Sequence, residues 1–185
     1  MQGTLLLPLI ASLFIAGCGL GPTIAANYPG GSLAVEPTTM TPYADSDTGI
    51  KLALPPGWKA QPLATTASRV KALFKKDGTS AALQVHCGGM FDNHDVLKIH
   101  MLNLITNSTK TNTMLWPEYS MGGGNFDSQF SAFSGTTPSG EEHNYYISWM
   151  MAFSGCKYST FLDVKTSEAA KVEGDYLAIL RTLGK

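Results

Sequence analysis

Apolar side chains occupy every second position over one stretch late in the chain, and this pattern constrains the fold more than any other feature. The alternating residues are Tyr145, Ile147, Trp149, Met151 and Phe153. Successive side chains of a strand point to opposite faces of a sheet, so a period of two predicts a strand with one buried face. Such a strand needs neighbours to pair with and a second layer to cover it.

Shorter alternating segments predict further strands. They lie at residues 50–54, 69–75, 81–87, 126–132 and 156–164. Short turns, such as the hairpin signal Asp77-Gly78, separate most of them, which favours antiparallel pairing. The stretch that ends at Trp116-Pro117 is predicted to be a connecting region.

Two segments instead show the spacing of amphipathic helices. The first has a candidate cap at Asp92 or Asn93, and its apolar residues are Leu97, Met101, Leu104 and Ile105. The second follows a candidate cap at Ser167, and its apolar stripe is Val172, Tyr176, Ile179, Leu180 and Leu183. The predicted order is therefore β-β-β-α-β-β-β-α, an α+β domain with a mostly antiparallel six-stranded sheet flanked by helices.

The opening strand carries a recognisable motif. Residues 49–58 read GIKLALPPGW, and the chain closes on a strand at 161–164 followed by a helix through 175–180. Over residues 48–183 this arrangement resembles the PsbP/Mog1/DcrB-like family, in particular its bacterial lipoprotein branch. The resemblance implies an α/β/α sandwich and a binding or assembly role rather than an enzymatic one. The family has no shared catalytic motif to carry over.

The start of the chain is uncharged up to Glu36. The apolar run from Leu5 to Ala16 suits a signal peptide and is shorter than the roughly 20 residues of a membrane-spanning helix. It ends in the letters IAGC at Cys18, which resembles the bacterial lipobox and implies lipidation, palmitate included, at Cys18. The alternative is an ordinary secretory signal in which this cysteine is incidental.

Three regions follow from this interpretation. Residues 1–17 are a lipoprotein signal peptide, 18–46 are the lipidated cysteine and a flexible tether, and 47–185 are the globular domain. A tether of this composition spans on the order of 30 Å, with Tyr28 and Tyr43 as its candidate contacts to the domain. The predicted location is the cell envelope, facing the periplasm, with the outer membrane favoured over the inner membrane.

The other two cysteines form an even pair once Cys18 is assigned to lipid. Cys87 ends one predicted strand and Cys156 begins another, so antiparallel neighbours would bring them to the same end of the sheet. A candidate disulfide follows from this placement in an oxidising compartment. Two buried free thiols are the alternative.

Several polar constellations lack the spacing of a working site. The residues His86, Cys87, Asp92, His94 and His100 cluster in sequence without a metal-binding spacing, so we predict no metal and assign them to a strand surface and a helix polar face. The glycine-rich residues 121–125 precede a strand, and residues 141–143 are predicted to lie in a solvated loop. No catalytic or cofactor motif is visible, so no cofactor is predicted.

The middle of the chain is rich in aromatic and methionine side chains. Trp116, Tyr119, Met121 and Phe133 form either part of the core or a candidate partner surface. The net charge of −1 gives no reason to expect nucleic acid. We therefore expect a non-catalytic, lipid-anchored accessory protein that binds another envelope protein. The alternatives are an immunity-type lipoprotein that neutralises a periplasmic toxin, and a hydrolase whose site is not visible in sequence.

Overall fold

The computed structural model describes residues 39–63, 69–89, 92–123, 126–151 and 157–183. The strands in this part of the chain are β1 Thr41–Ala44, β2 Lys51–Leu54, β3 Trp58–Gln61, β4 Val70–Lys76, β5 Ala82–Gly88, β6 Thr111–Gly123, β7 Phe126–Thr136, β8 Glu142–Met151 and β9 Lys157–Lys165. The helices are α1 His94–Ser108, a 3-10 helix Thr166–Lys171 and α2 Glu173–Thr182.

Seven strands form one antiparallel sheet in the order β3-β4-β5-β9-β8-β7-β6, while β1 and β2 form a separate antiparallel pair. The two faces of the large sheet carry different cores. On one face α2 and β2 pack through residues such as Tyr176, Ile179 and Leu52. On the other face α1 packs through Leu97 and its apolar neighbours. This layering is the α/β/α sandwich that the resemblance implied.

The predicted helices form largely as expected. The side chain of Asn93 caps α1, accepting a hydrogen bond from the Val96 amide at 2.9 Å. The stripe predicted for the second helix is buried from Val172 to Leu183, although α2 begins only after the 3-10 helix and has no side-chain cap. The tertiary contacts of an apolar stripe therefore support α2 without a local start signal.

Three strands depart from the predicted six-stranded count. The strand β6 occupies the stretch predicted as a connecting region, and it pairs with β7 alone at one edge of the sheet. Pro117 and two irregularities of register interrupt its alternation. A proline, which has no N–H, is tolerated at an edge because one side of the strand has no ladder to complete. The short strands β1 and β3 were also not predicted.

β1 lies within the stretch that the sequence assigned to the tether. Its residues pair with β2, from Thr41 opposite Leu54 to Ala44 opposite Lys51. The ring of Tyr43 meets that of Phe74 edge to face, with centroids 4.9 Å apart. Of the two candidate contacts between the tether and the domain, the one at Tyr43 is therefore observed, while Tyr28 lies outside the described residues.

The side chain of Trp58 is one of the links between the opening motif and the last helix. Gly57 has a φ of 83°, a left-handed conformation that favours glycine, and the chain then enters β3 at Trp58. The indole Nε1 of Trp58 donates to Asp175 of α2 at 2.8 Å. Lys76 of β4 forms an ion pair with the same carboxylate. The motif therefore fixes where α2 lies on the sheet.

Candidate functional site

The candidate partner surface is only partly a surface. Trp116 and Phe133 are 7% and 6% exposed and belong to the two cores, so for these two residues the core alternative is the observed one. Tyr119 is half-buried and its ring lies 5.7 Å from that of Phe130. The side chain of Met121 lies outside the described part. These aromatic residues fill the space beneath helices on both faces, which explains their frequency.

The exposed apolar side chains lie next to the predicted ones. On β6, Met114 is 56% and Leu115 is 42% exposed. The register shifts between Met114 and Trp116, so Trp116 turns into the core while Leu115 lies at the irregularity. On α1, Val96 and Ile99 are 39% and 57% exposed. We call these four residues the α1–β6 surface.

An ion pair links the two elements of the α1–β6 surface. Lys98 of α1 pairs with Glu118 of β6. The same ammonium group lies 5.5 Å from the ring centroid of Trp149, over a side chain that is 1% exposed. Lys98 thereby ties the exposed side of α1 to both the sheet and its edge strand. The arrangement offers apolar contact area with polar groups beside it, the composition of a protein-binding patch.

In the histidine-rich cluster, His86 and His100 form a close pair. His86 was predicted to lie on a strand surface, but it is 2% exposed because α1 covers that face of β5. Its Nδ1 lies 3.2 Å from Nε2 of His100, and its Nε2 lies 3.2 Å from Oε1 of Gln84. Burial, with the nearby His100 and Arg69, lowers the pKa of His86 to about 4. Burial also lowers the pKa of His100.

The other members of that constellation lie apart from the pair. His94 Nδ1 is 3.3 Å from Gln129 Oε1. Asp92 accepts hydrogen bonds from the Arg69 guanidinium and the Gly89 amide, each at 2.9 Å. In the described ranges no three His, Cys, Asp or Glu side chains converge in a way that could hold a metal ion.

A second polar pair lies at the start of β8, where the sequence predicted a solvated loop. His143 is half-buried, and its Nδ1 is 2.5 Å from Oδ1 of Asp163 on β9. Its Nε2 is buried without a hydrogen-bond partner and lies 3.9 Å from a carboxylate oxygen of Glu141. The hydroxyl of Tyr145 is likewise buried and unpaired, and burial beside Asp163 raises the pKa of Tyr145 to about 12. Within the described residues this dyad has no hydroxyl or thiol bonded to Nε2 that could act as a nucleophile.

The remaining predicted site residues are placed only in part. Cys87 lies near the end of β5 and packs against the core, and Gly88 after it is opposite Lys157 of β9. The two strands are antiparallel neighbours, as the disulfide hypothesis requires. Cys156 and Cys18 lie outside the described residues, so the disulfide and the lipidation stay predictions. Residues 121–123 of the glycine-rich stretch are part of β6.

Comparison by sequence yields no relative. No model of a known protein family matches the chain, and no curated protein does.

Comparison by structure yields several matches. The solution structure of the cyanobacterial PsbP protein CyanoP from Synechocystis has a TM-score of 0.59 at 12% identity, over 81% of this chain and 94% of that one. The Ran-binding protein Mog1p of Saccharomyces cerevisiae has 0.56 at 12% identity, over 78% and 94%. LpqN of Mycobacterium tuberculosis, involved in cell envelope biogenesis, has 0.54 at 15% identity, over 78% and 89%.

These matches define the class of protein first: an α+β domain with a mostly antiparallel sheet between helices. Within that class, the chain has the PsbP/Mog1 fold, and the prediction from the opening motif is confirmed. At such low identity the likeness establishes the fold alone. In the part of the chain that is described, no helix is both long and apolar enough to cross a membrane.

Proposed function

We propose that this chain is a lipid-anchored, periplasm-facing envelope protein that binds another envelope protein in a non-catalytic accessory role. The observation that carries the proposal is the exposure of Val96, Ile99, Met114 and Leu115 on two linked elements. Scattered single apolar residues are ordinary on a surface, but α1 and β6 each present two, on elements joined by the Lys98–Glu118 ion pair.

The comparisons support the accessory role without naming the partner. Mog1p is a Ran-binding protein and LpqN is involved in cell envelope biogenesis, and both share the fold of this chain. The same fold has thus been used for protein binding and in an envelope. The partner proposed here is an envelope protein with an apolar patch of its own, met by the α1–β6 surface.

The envelope location is supported by the residues before the domain. The apolar run to Ala16 and the lipobox-like ending at Cys18 are the supporting features, and Gly19 favours the outer membrane over the inner one. A tether of the length of residues 18–46 gives the domain a reach on the order of 30 Å from the bilayer.

The surface is tested by adding charge to it. In the variant Met114→Lys/Leu115→Lys, both side chains become cationic where they are already solvent-exposed, so we expect the fold to stay intact. Desolvating two ammonium groups at an interface costs binding energy, so recovery of crosslinked partner from intact cells should fall at least about tenfold. The measurement is in-cell crosslinking followed by purification and mass spectrometry.

The matched control is Leu63→Lys, a change of the same kind at a residue that is 38% exposed and outside the α1–β6 surface. Its crosslinked partner should be recovered as with the unaltered chain. Undiminished crosslinking to the same partner by the Met114→Lys/Leu115→Lys protein would show that the surface is not the binding site.

A further inference from the structure

We propose that the hydrogen bond between His86 and His100 is a proton-sensitive latch, which holds α1 on the sheet at neutral pH and releases it in acid. The two imidazoles form a direct polar link between β5 and α1. They join a strand of the large sheet to the middle of the helix that covers it. The inference does not depend on the identity of a partner.

The partners of His86 determine where its proton must be. The Oε1 atom of Gln84 can only accept, so Nε2 of His86 carries the proton and donates to it. Nδ1 of His86 is then an acceptor, and Nε2 of His100 donates to it. The latch therefore requires a neutral His86 in one tautomer. His100 satisfies the bond in either charge state, because its Nε2 carries a proton in both.

A second proton on His86 would break this arrangement. It would add to Nδ1, so the bond to His100 would survive only if His100 moved its own proton to Nδ1, and the cation would in either case lie inside an interface where His86 is 2% exposed. Leaving such a charge in place is far more costly than exposing it to water. Release of α1 is the route by which the cation reaches solvent.

The charged groups around the pair do not offer compensation. Arg69, just before β4, adds a positive charge that disfavours a second one on His86. Asp92, before α1, favours the charged form of His100, but its carboxylate already accepts from Arg69 and Gly89. The ammonium of Lys157 on β9 bonds the Asp92 carbonyl.

The neighbouring strands face His86 with uncharged residues. Val70 of β4 and Ser159 of β9 lie opposite it in the sheet. Among the described residues, His86 therefore has no carboxylate to hold a second proton.

The direction of the pH effect follows from linkage. Burial holds the pKa of His86 in the closed state to about 4, below the ordinary 6.5 that it regains when released. Between these values the released state binds more protons, so the closed state loses stability as pH falls. His86 should raise the opening equilibrium of α1 by up to about tenfold per pH unit below 6.5, levelling off near 4. His100, whose pKa is also lowered, adds to the rise in the same direction.

α1 has fewer buried side chains than α2, so we expect it to open first. Leu97, Met101 and Ile105 are its buried residues, whereas α2 buries five successive side chains from Tyr176 to Leu180. Because Val96 and Ile99 also lie on α1, release of this helix in acid would rearrange the α1–β6 surface.

The test is hydrogen exchange of the full mature chain at pH 7, 6 and 5, read by mass spectrometry and corrected for the intrinsic pH dependence of exchange. Peptides from α1 should lose protection stepwise with falling pH, while peptides from α2 keep theirs. Loss of protection in α1 and α2 together would mean global acid unfolding and would overturn the latch.

Two variants separate the roles of the histidines. His86→Gln retains an acceptor for His100 but cannot titrate, so the pH dependence of α1 protection should become shallower, with only the contribution of His100 remaining. His100→Gln retains a donor for His86, so the dependence should persist. A slope that is undiminished in His86→Gln, or that falls only in His100→Gln, would assign the effect to another group.

A measurement on the unaltered chain covers the case in which His86→Gln fails to fold. Nitrogen-15 NMR of the His86 ring should show a neutral, Nε2-protonated tautomer at pH 7. A doubly protonated His86 ring while α1 remains fully protected would rule out the latch.

Discussion

At the scale of single residues, a buried chain of hydroxyls joins α2 to the sheet. Tyr176 is bonded to Thr160 at 2.8 Å, and Thr160 to Ser148 at 2.7 Å, all without solvent exposure. Burial raises the pKa of the Tyr176 phenol, which therefore stays protonated. Thr160 is the middle member and is bonded to both of the others.

Removing that middle hydroxyl should cost more than removing an end. We expect Thr160→Val to lower the free energy of unfolding by about 2 kcal/mol, because two buried hydroxyls lose a partner, and Tyr176→Phe by about 1 kcal/mol. Urea denaturation measures both. Thr113→Val on exposed β6 is the control and should change the free energy by less than about 0.5 kcal/mol. A Thr160→Val protein as stable as Tyr176→Phe would contradict the argument.

His86 shows what periodicity cannot predict for a residue. The face containing Leu83 and Val85 is fully buried, as the alternation predicted. The same alternation assigned His86 to the opposite, solvent-facing side. That side is covered by α1, whose location depends on contacts distant in sequence. Burial of a histidine with a second histidine as partner leaves no local signal in the sequence.

At the scale of elements, the Asp175 carboxylate holds together three parts of the fold. It accepts from the Trp58 indole and pairs with Lys76, and Lys76 also donates to the Lys171 carbonyl at 3.0 Å. The side chains of Lys76 and Asp175 are each 19% exposed, so solvent screens the pair less than a surface pair.

Neutralising that carboxylate should loosen α2. We expect Asp175→Asn to lower the free energy of unfolding by about 2 kcal/mol, since it leaves the Lys76 ammonium partly buried without its counter-charge. The matched control is Asp77→Asn, which breaks the Lys59 pair, where the side chains are 66% and 59% exposed. That change should fall within about 0.5 kcal/mol. Equal losses for the two variants in chemical denaturation would show that Asp175 is not a structural anchor.

The elements themselves were predictable to different degrees. The strand β8 and both helices show clear periodicity, and their identity was correct. In β8, however, Tyr146 and Ser148 are buried as well as the alternating Tyr145, Ile147 and Trp149, since helices cover both faces of the sheet. The edge strand β6 was missed because Pro117 and its irregular register remove the alternation. Met114 and Leu115, the β6 residues of the α1–β6 surface, were missed with it.

At the scale of the whole molecule, the proposed anchor can be separated from the fold. Cys18 precedes every described element, so Cys18→Ser should release a folded protein from membranes into the periplasmic fraction. One or more acyl chains at Cys18, at about 0.8 kcal/mol per buried CH₂, would account for membrane retention of the unaltered chain. Cell fractionation and detergent phase partitioning measure the change. Thr23→Ser is the control and should stay with the membrane; a Cys18→Ser protein that also stays would exclude lipid anchoring at this residue.

The position of β1 also fixes how the domain would be presented. The chain enters through β1, which lies in the α2 layer with Tyr43 against β4, near the β3 end of the sheet. α1, with its exposed residues, lies on the other face of the sheet, and β6 is at the opposite edge. A domain held by its amino-terminal end would therefore carry this patch on the side away from its point of attachment. Its partners would approach from the periplasmic space or from the opposing membrane, and not from within the bilayer that holds the tether.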